Sequence, residues 1–272
     1  MPPALSDPAL VAELRAVAHA MADAARMTTL RHFRSRGLRA ESKEAARFDP
    51  VTIADRETEA AMRAVLAARR PEDAILGEEY APTAGRTGLT WVIDPIDGTR
   101  SYMSGTPVWG VLIAVCDAGG PVYGLIDQPF TGERFEGGLG QAGMVWPGGA
   151  AALGTRATGR LGDAILFSTF PEVGTPAERA GFEAVARRVR LTRYGMDCYA
   201  YALVALGQID LVIEAGLEAY DVCAPIAVIE AAGGVVTDWR GRRAHGGGRI
   251  LAAANPALHA EALALLAEVP EG

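Results

Sequence analysis

Residues 91–99 read WVIDPIDGT, and this stretch says more about the fold than any other part of the chain. A predicted β-strand ends at Asp94, and a second acid, Asp97, follows three residues later. Pro95 fixes its own φ and stiffens the turn between the two acids, and Gly98 allows a ligand to approach the backbone closely. The pattern therefore predicts a strand that ends in two carboxylates converging on one point.

The chemistry of this segment favours a site for divalent cations and phosphate. Hard divalent cations take oxygen ligands, and the Ile96 carbonyl lies between the two acids. If a helix begins at Thr99, its free N–H groups can bind a phosphate group. Two metal ions about 3.5–4 Å apart would hold the attacking and leaving oxygens of an in-line displacement. Because Asp-x-x-Asp-Gly alone is commonly only a turn, this interpretation depends on the whole segment and on the other acids.

Two further segments carry acids at the ends of predicted elements. Glu78 and Glu79 directly follow a predicted strand, and Asp221 opens a predicted helix. Each has a structural alternative, because a Glu pair after a strand is often a solvated loop and Asp221 can be an N-cap. Asp55, three residues after Thr52, fits a capping box with Asp in place of the usual Glu. Only the combination of these acids favours a functional site.

The first half of the chain predicts two helices followed by an antiparallel sheet. Asp7 and Pro8 mark the start of a long helix, for which Gly37 is a plausible end. A second helix begins at Thr52 and ends before Pro71. Consecutive strands joined by tight turns are predicted at residues 74–76, 90–93, 108–116, 122–126 and 133–136.

The second half alternates strands with helices, which predicts an α/β arrangement. Residues 147–151 are rich in Gly and Ala and are predicted to form a boundary loop. We therefore expect residues 1–150 to form an N-terminal α+β half with the metal motifs, and residues 151–272 to form a C-terminal α/β half. The two halves together would make one catalytic unit.

Composition narrows the class of protein. The 272 residues carry a formal net charge of −7, so bulk attraction to nucleic acid is not expected. The three cysteines are far apart and form no CxxC motif, which is typical of reduced thiols in a cytosolic protein. No signal peptide and no uncharged apolar run of about 20 residues is visible. We expect a cytoplasmic protein with no membrane or nucleic-acid partner.

These motifs resemble those of the inositol monophosphatase superfamily. The superfamily signature is a Trp-x-x-Asp-Pro-x-Asp-Gly-Thr segment and a C-terminal Trp-Asp-x-x-Ala segment. The first motif is complete at residues 91–99, whereas the second departs because Tyr220 stands where Trp is usual. The resemblance extends from about Lys43 to the last predicted helix. It implies an α/β (α+β) fold, a layered αβαβα sandwich, and a homodimer.

The resemblance also implies a Mg²⁺-dependent phosphatase and a set of metal ligands. One Mg²⁺ would be held by Glu78, Asp94 and the Ile96 carbonyl. A second would be held by Asp94, Asp97 and Asp221. A third, weaker metal ion would share Glu78.

The same resemblance assigns catalytic and phosphate-binding roles. Asp55 and Thr99 would orient and deprotonate a metal-activated water, and Glu78 would join them as a catalytic residue through the ions it holds. The backbone amides of Gly98 and Thr99 would bind the phosphate. Lys43 resembles a family lysine near the phosphate. The substrate would be a small phosphate monoester.

A narrower resemblance connects the chain with the histidinol-phosphatase branch. Arg100 follows the Gly-Thr pair, and residues 193–201 read RYGMDCYAY, as in that branch. By family position, Asp197 and Glu214 would face the non-phosphate part of the substrate, together with Arg193. Taken alone, Asp197 is better explained as a cap for the helix predicted near residue 198.

The leading hypothesis is hydrolysis of histidinol phosphate to histidinol and phosphate, late in histidine biosynthesis. The alternative is an inositol-1-phosphatase or a broad sugar-phosphate phosphatase of the same superfamily. A third hypothesis, from another class, is a non-catalytic accessory factor in transcription. The acidic charge does not favour direct RNA binding, and the complete set of carboxylates favours an enzyme.

Overall fold

A computed structural model describes residues 3–36, 40–42 and 50–270. After a short 3₁₀ turn at Pro3–Ser6, seven α-helices are present in this part of the chain. They are α1 (Pro8–His32), α2 (Ile53–Arg69), α3 (Thr99–Ser104), α4 (Pro176–Ala186), α5 (Asp197–Ala205), α6 (Ala219–Ala231) and α7 (Pro256–Leu266). None of the helices in these ranges has both the length and the apolar character that crossing a membrane requires.

The starts of the first two helices follow from side-chain capping. Asp7 accepts a hydrogen bond from the Ala9 amide at 2.9 Å, with Pro8 as the first helical residue of α1. Thr52 and Asp55 form a reciprocal capping box at the start of α2. Both starts confirm the predictions. Helix α1 ends at His32, five residues before the predicted stop at Gly37, which lies outside the described residues.

Three sheets organise the rest of the described chain. A two-stranded antiparallel pair joins β1 (Ala40–Ser42) and β2 (Pro50–Thr52). The seven-stranded sheet has the order β3 to β9, parallel between β3 and β4 and antiparallel elsewhere. Its strands are β3 (Ala74–Gly77), β4 (Thr90–Asp97), β5 (Gly110–Asp117), β6 (Gly120–Gln128), β7 (Glu133–Gly138), β8 (Gln141–Trp146) and β9 (Gly149–Ala152).

The third sheet lies in the second half and is mixed. Its order is β11-β10-β12-β14-β13, with β10 parallel to β11 and β12, and β14 antiparallel to both of its neighbours. The strands are β10 (Ile165–Ser168), β11 (Leu191–Tyr194), β12 (Leu211–Leu217), β13 (Val235–Thr237) and β14 (Gly248–Ala253).

The elements stack in five layers. Helices α1 and α2 pack on one face of the seven-stranded sheet, and α5 and α6 fill the space between the two large sheets. Helices α4 and α7 cover the outer face of the five-stranded sheet. Every strand face in the middle of this stack is buried against a helix, which gives three hydrophobic clusters. The αβαβα sandwich is confirmed.

The prediction of a boundary loop at residues 147–151 was wrong. Strands β8 and β9 form a hairpin here, and residue 150, the expected division of the chain, lies inside β9. The four residues of β9 are Gly and Ala and are exposed, so the strand depends on backbone pairing with β8 and not on side-chain burial. The first sheet therefore continues two residues into the expected second half.

Candidate metal and phosphate site

The two acids of the 91–99 segment lie at a bulge where β4 leaves the sheet. Asp94 pairs with Leu112 and Asp97 pairs with Gly110, so one extra residue is accommodated on the β4 side. The Ile96 amide donates a hydrogen bond to Asp94 Oδ1 at 2.9 Å. Asp94 is buried, with 1% of its surface exposed. The bulge brings both carboxylates to the same end of the strand.

Gly98 connects this bulge to helix α3. Its φ of +83° is in the left-handed region, which favours glycine. A Cβ at this position would also lie 2.7 Å from Cγ of Asp197. Both constraints exclude larger residues. Helix α3 begins at Thr99, which meets the condition that the sequence left open, with Gly98 as its N-cap residue.

The third acid of the site comes from α6. Oxygen atoms of Asp94, Asp97 and Asp221 lie within 4.8 Å of one another. Asp221 also forms a capping box with Glu218, whose amide donates to Asp221 Oδ2 at 2.7 Å. The amide of Cys198, in the first turn of α5, donates to Asp97 Oδ2 at 2.6 Å. Asp221 thus both caps its helix and joins the acidic cluster.

The close packing of buried carboxyl groups in the cluster favours the binding of a cation. Burial, followed by the charges of Glu78, Asp97 and Asp221, raises the pKa of Asp94 well above its usual range. Burial, followed by neighbouring acids, also raises the pKa of Asp97 well above its usual range. The pKa of Asp221 rises to about 7, mainly through burial. A set of carboxylate oxygens under mutual repulsion suits a hard divalent cation such as Mg²⁺.

Glu78 lies against this cluster from the neighbouring strand. Gly77 pairs with Ile93 in the parallel register of β3 and β4, so Glu78 and Asp94 are the next residues along the two strands. A side-chain hydrogen bond between Asp94 and Glu78, in which protonated Asp94 donates, contributes to the raised pKa of Asp94. Glu78 is not one of the three acids whose oxygens lie within 4.8 Å of one another. It therefore extends the cluster at the Asp94 side.

Asp55 and Thr99 meet at the other side of the cluster. Asp55 is fully buried, and its Oδ2 accepts from the amide and hydroxyl of Thr52 at 2.8 and 2.6 Å. The Thr99 hydroxyl lies 3.4 Å from Asp55 Oδ1 and 3.2 Å from the Ile96 carbonyl oxygen. The capping alternative is correct for one oxygen of Asp55, while the other oxygen faces the Thr99 hydroxyl.

A cavity of about 590 Å³ opens from Asp97 and Asp221 toward α4. Among the described residues, its lining includes one arginine, Arg179, and six acids: Asp97, Glu172, Glu178, Asp197, Glu214 and Asp221. The excess of acids makes the cavity suitable for a substrate with a positive charge.

Asp197 and Glu214 both line this cavity. Asp197 has a φ of +43°, unusual for a residue with a side chain, and its Oδ2 accepts from Ser101 Oγ at 2.5 Å. The N-cap residue of α5 is Met196 and the carboxylate of Asp197 binds Ser101, so the helix-cap alternative was wrong. Burial raises the pKa of Asp197 to about 6, against the lowering effect of the Ser101 hydrogen bond. Glu214 accepts from Tyr201 and from the amide and hydroxyl of Thr169.

Two predicted site residues are not brought into this arrangement. Arg193 lies exposed on β11 and is not part of the cavity lining. Lys43 lies outside the described residues. Sequence reasoning missed Ser101 and Thr169, which bind the two acids of the cavity. Hydroxyl residues are too common to be singled out from sequence. The one available signal was the position of Ser101 shortly after the Gly98-Thr99 pair.

The family model for the inositol monophosphatase family matches residues 10–271. The Arabidopsis thaliana protein "Bifunctional phosphatase IMPL2, chloroplastic" is 40% identical over 84% of this chain, which spans 65% of that relative's length. A Streptomyces coelicolor protein named histidinol-phosphatase is 35% identical over 92% of this chain and 95% of its own.

Structural comparison agrees with these sequence matches. An inositol monophosphatase from Zymomonas mobilis superimposes with a TM-score of 0.80 at 36% identity, covering 92% of this chain and 96% of that one. The shared fold, the complete acidic motif and the similarity to curated histidinol-phosphatases agree. The chain belongs to the inositol monophosphatase family and to its histidinol-phosphatase branch.

Proposed function

We propose that this phosphatase hydrolyses histidinol phosphate to histidinol and phosphate, with Mg²⁺ as its cofactor. The observation that carries the proposal is the acidic cavity that opens beside the acidic cluster and is lined by Asp197 and Glu214. Histidinol phosphate carries an ammonium group and an imidazole, whereas inositol phosphate offers only hydroxyls. A carboxylate gains a charge-assisted hydrogen bond from an ammonium group and is poorly paired by a neutral polyol.

At the reacting end, the chain's own acids would hold two or three Mg²⁺ ions. The ligands would be Glu78, Asp94, Asp97, Asp221 and the Ile96 carbonyl. When bound, Mg²⁺ would supply Lewis acidity toward phosphoryl oxygens and make water more acidic. This set fits the ion because every donor is an oxygen and three of the acids already converge within 4.8 Å.

The remaining residues of the reacting end would orient the nucleophile and the phosphate. The Thr99 hydroxyl, 3.4 Å from Asp55 Oδ1, would position the attacking water, and Asp55 would accept its proton. The amides of Gly98 and Thr99 would bind the phosphoryl oxygens, and Lys43 would add a positive charge. The nucleophile would be water, since all three cysteines are buried thiols.

Within the cavity, Asp197 would bind the ammonium group and Glu214 would support it. Glu214 is already held by Thr169 and Tyr201, so its orientation does not depend on substrate. Arg193 was expected to share this role, but its exposed place on β11 leaves the proposal resting on the two acids.

A second candidate is an inositol-phosphate or sugar-phosphate phosphatase, favoured by the similarity to the Zymomonas mobilis inositol monophosphatase. Initial rates on histidinol phosphate, inositol-1-phosphate and fructose bisphosphate with Mg²⁺ separate the two. We expect kcat/KM for histidinol phosphate to exceed that for inositol-1-phosphate by at least ~10²-fold. Equal rates would leave only the general phosphatase assignment, and no phosphate release from any substrate would favour the non-catalytic hypothesis.

We also propose a cytoplasmic homodimer, on the basis of the family resemblance. Light scattering after size-exclusion chromatography tests the assembly, because a dimer has twice the 28.5 kDa mass of the chain. A monomeric mass at working concentration would contradict it.

A further inference from the structure

Glu59 is a buried acid that the reaction described above does not use. It lies on α2 and is fully buried. Its Oε2 accepts a hydrogen bond from the Glu79 amide at 2.7 Å, and its Oε1 lies 3.3 Å from the Tyr80 amide. A buried carboxylate is costly unless it is paired and hydrogen-bonded. Here the partners are backbone amides of the segment that follows β3.

Arg63 completes this arrangement from the next turn of α2. Its Nε donates to Glu59 Oε1 at 2.7 Å. Its other nitrogens donate to the carbonyl oxygens of Tyr80 and Ala81, at 3.2 and 3.3 Å, and to Thr83 Oγ1 at 3.1 Å. One ion pair on α2 thus holds both amides and carbonyls of the segment at residues 79–83.

The glycine before this segment is required by the same contact. A Cβ on Gly77 would lie 2.2 Å from Glu59 Oε1, where no atom can fit. Glu78 therefore has Gly77, packed against Glu59, on one side and the Glu79 amide, bonded to Glu59, on the other. Glu59 sets the backbone on both sides of Glu78.

The direction of the Glu78 side chain is important for the proposed metal site because the Glu78 carboxylate contacts Asp94. The two residues are adjacent in the parallel register of β3 and β4. When both groups are ionised and no cation is bound, the two carboxylates repel each other, and contacts that fix the backbone of Glu78 oppose their separation. Contacts that fix a ligand before the ion arrives lower the cost of binding it.

We propose that Glu59, clamped by Arg63, is a positioning residue that holds the Glu78 carboxylate against Asp94 and so organises the metal site before metal binds. The proposal rests on the proposed function, since it takes Glu78 as a metal ligand. Glu59 touches neither substrate nor the reacting atoms in this scheme. Its effect passes through the backbone of residues 77–80.

The test compares an ion pair within α2, Arg63–Glu59, with an ion pair just after the end of α2, Arg70–Asp73. Glu59→Gln replaces one acceptor oxygen with an amide group that cannot accept from a backbone N–H, and Arg63→Met removes the clamp. Arg70→Met is the matched control, because the Arg70–Asp73 pair has the same 2.7 Å separation and nearly the same burial as Arg63–Glu59 but does not contact residues 77–80. Arg63→Lys tests rescue by a conservative change.

Two readouts do not depend on turnover. Calorimetric titration of metal-free protein with Mn²⁺ measures affinity, and hydrogen–deuterium exchange measures protection of the Glu79 and Tyr80 amides. We expect Glu59→Gln and Arg63→Met to weaken Mn²⁺ binding at least ~10-fold, as for loss of a ligand-orienting partner, and to speed exchange at both amides. Arg70→Met should change neither, and Arg63→Lys should restore part of the affinity. Activity at saturating Mg²⁺ should return to within about threefold of wild type, since the ligands themselves remain.

The outcomes distinguish this inference from the proposed function. If the wild type binds Mn²⁺ and Glu59→Gln and Arg63→Met bind it with the same affinity, the positioning role is overturned and the proposed function stays intact. Absence of binding to the wild type would overturn both. If Glu59→Gln does not fold, Arg63→Met and Arg63→Lys decide, because Arg63 is partly exposed and its replacement leaves Glu59 with its two amide partners.

Discussion

The Thr99 hydroxyl lies 3.4 Å from the Asp55 carboxylate, although 44 residues separate them in the chain. The contact joins the start of α2 to the start of α3, and it stands beside the acidic cluster. Asp55 uses one oxygen to cap α2 and the other to face Thr99. Its two roles can be separated by experiment.

Asp55→Ala should lower kcat by ~10²–10⁴, the usual scale for loss of general-base assistance. Thr52→Ala is the control, because it removes the capping hydroxyl and leaves the Asp55–Thr99 contact. We expect that variant to lose about 1 kcal/mol of stability with little change in kcat. Steady-state kinetics and urea unfolding measure the two effects. A change in Asp55→Ala confined to stability or to KM would show that Asp55 is only a helix cap.

Asp94→Asn should be the most damaging single change to activity. Asp94 would bridge two ions, and the loss of transition-state charge stabilisation is worth several kcal/mol, or at least ~10³-fold in kcat. The metal-free variant should be as stable as the wild type or more so, because Asn keeps the Oδ1 that accepts from Ile96 and removes a repelled charge.

Asp127→Asn provides the contrast for that stability measurement. Asp127 is also fully buried, but it pairs with Arg26 and Arg134. Its replacement should destabilise the fold because it removes the buried carboxylate that Arg26 and Arg134 share and leaves Arg134 only its ion pair with Asp23. An Asp94→Asn protein that unfolds as readily as Asp127→Asn would indicate a structural role for Asp94.

Removal of metal should abolish activity, and Mg²⁺ should restore it. The oxygens of Asp94, Asp97 and Asp221 converge within 4.8 Å and need a cation to be held there in charged form. Phosphate release is measured after dialysis against a chelator and again after addition of Mg²⁺. Full activity in excess chelator would contradict the metal-dependent scheme.

The stability of the metal-free protein should fall as pH rises from about 5 to about 8. Burial raises the folded-state pKa of Asp197 to about 6 and of Asp221 to about 7, above their unfolded values. The folded state therefore binds more protons than the unfolded state in this window, and stability decreases as the protons leave. Glu136, whose pKa is lowered to about 2, contributes a change only at more acidic pH.

Mg²⁺ should reverse this dependence, because the ion binds the deprotonated acids. Thermal unfolding at about pH 5 and about pH 8, with and without Mg²⁺, measures how the ion changes the pH dependence of stability. We expect the increase in Tm on adding Mg²⁺ to be larger at the higher pH. A metal-free Tm that rises toward pH 8 would contradict the assignment of these acids as the repelling groups.

Asp197→Ala should reduce the preference for histidinol phosphate over inositol-1-phosphate by roughly tenfold or more, the scale of losing one charged hydrogen bond. Glu172→Ala is the control. Glu172 lines the same cavity in an exposed position, and its replacement removes one negative charge, as Asp197→Ala does. The ratio of kcat/KM values on the two substrates is measured for each variant. An unchanged ratio in Asp197→Ala, or equal losses in both variants, would mean that Asp197 does not select the substrate.

The local elements could be predicted where a residue acts on its immediate neighbours. The capping residues Asp7 and Thr52 mark helix starts within a few bonds of themselves, so the sequence was sufficient. Strands β8 and β9 were missed because their formation depends on pairing between strands and not on the preferences of neighbouring residues. The run GAAA has no preference for a strand, and it becomes one only because β8 offers a backbone to pair with.

The sequence by itself identified Asp94, Asp97 and Gly98 as parts of one candidate site, because they lie within one short segment and residue type and spacing are sufficient to recognise it. Only the tertiary structure decided how they meet. Asp221 reaches Asp94 because α6 packs between the sheets, and Glu59 reaches the segment around Glu78 because α2 lies along β4. Such contacts depend on burial and layer order, which are set by the packing of the whole chain and not by residues near one another in sequence.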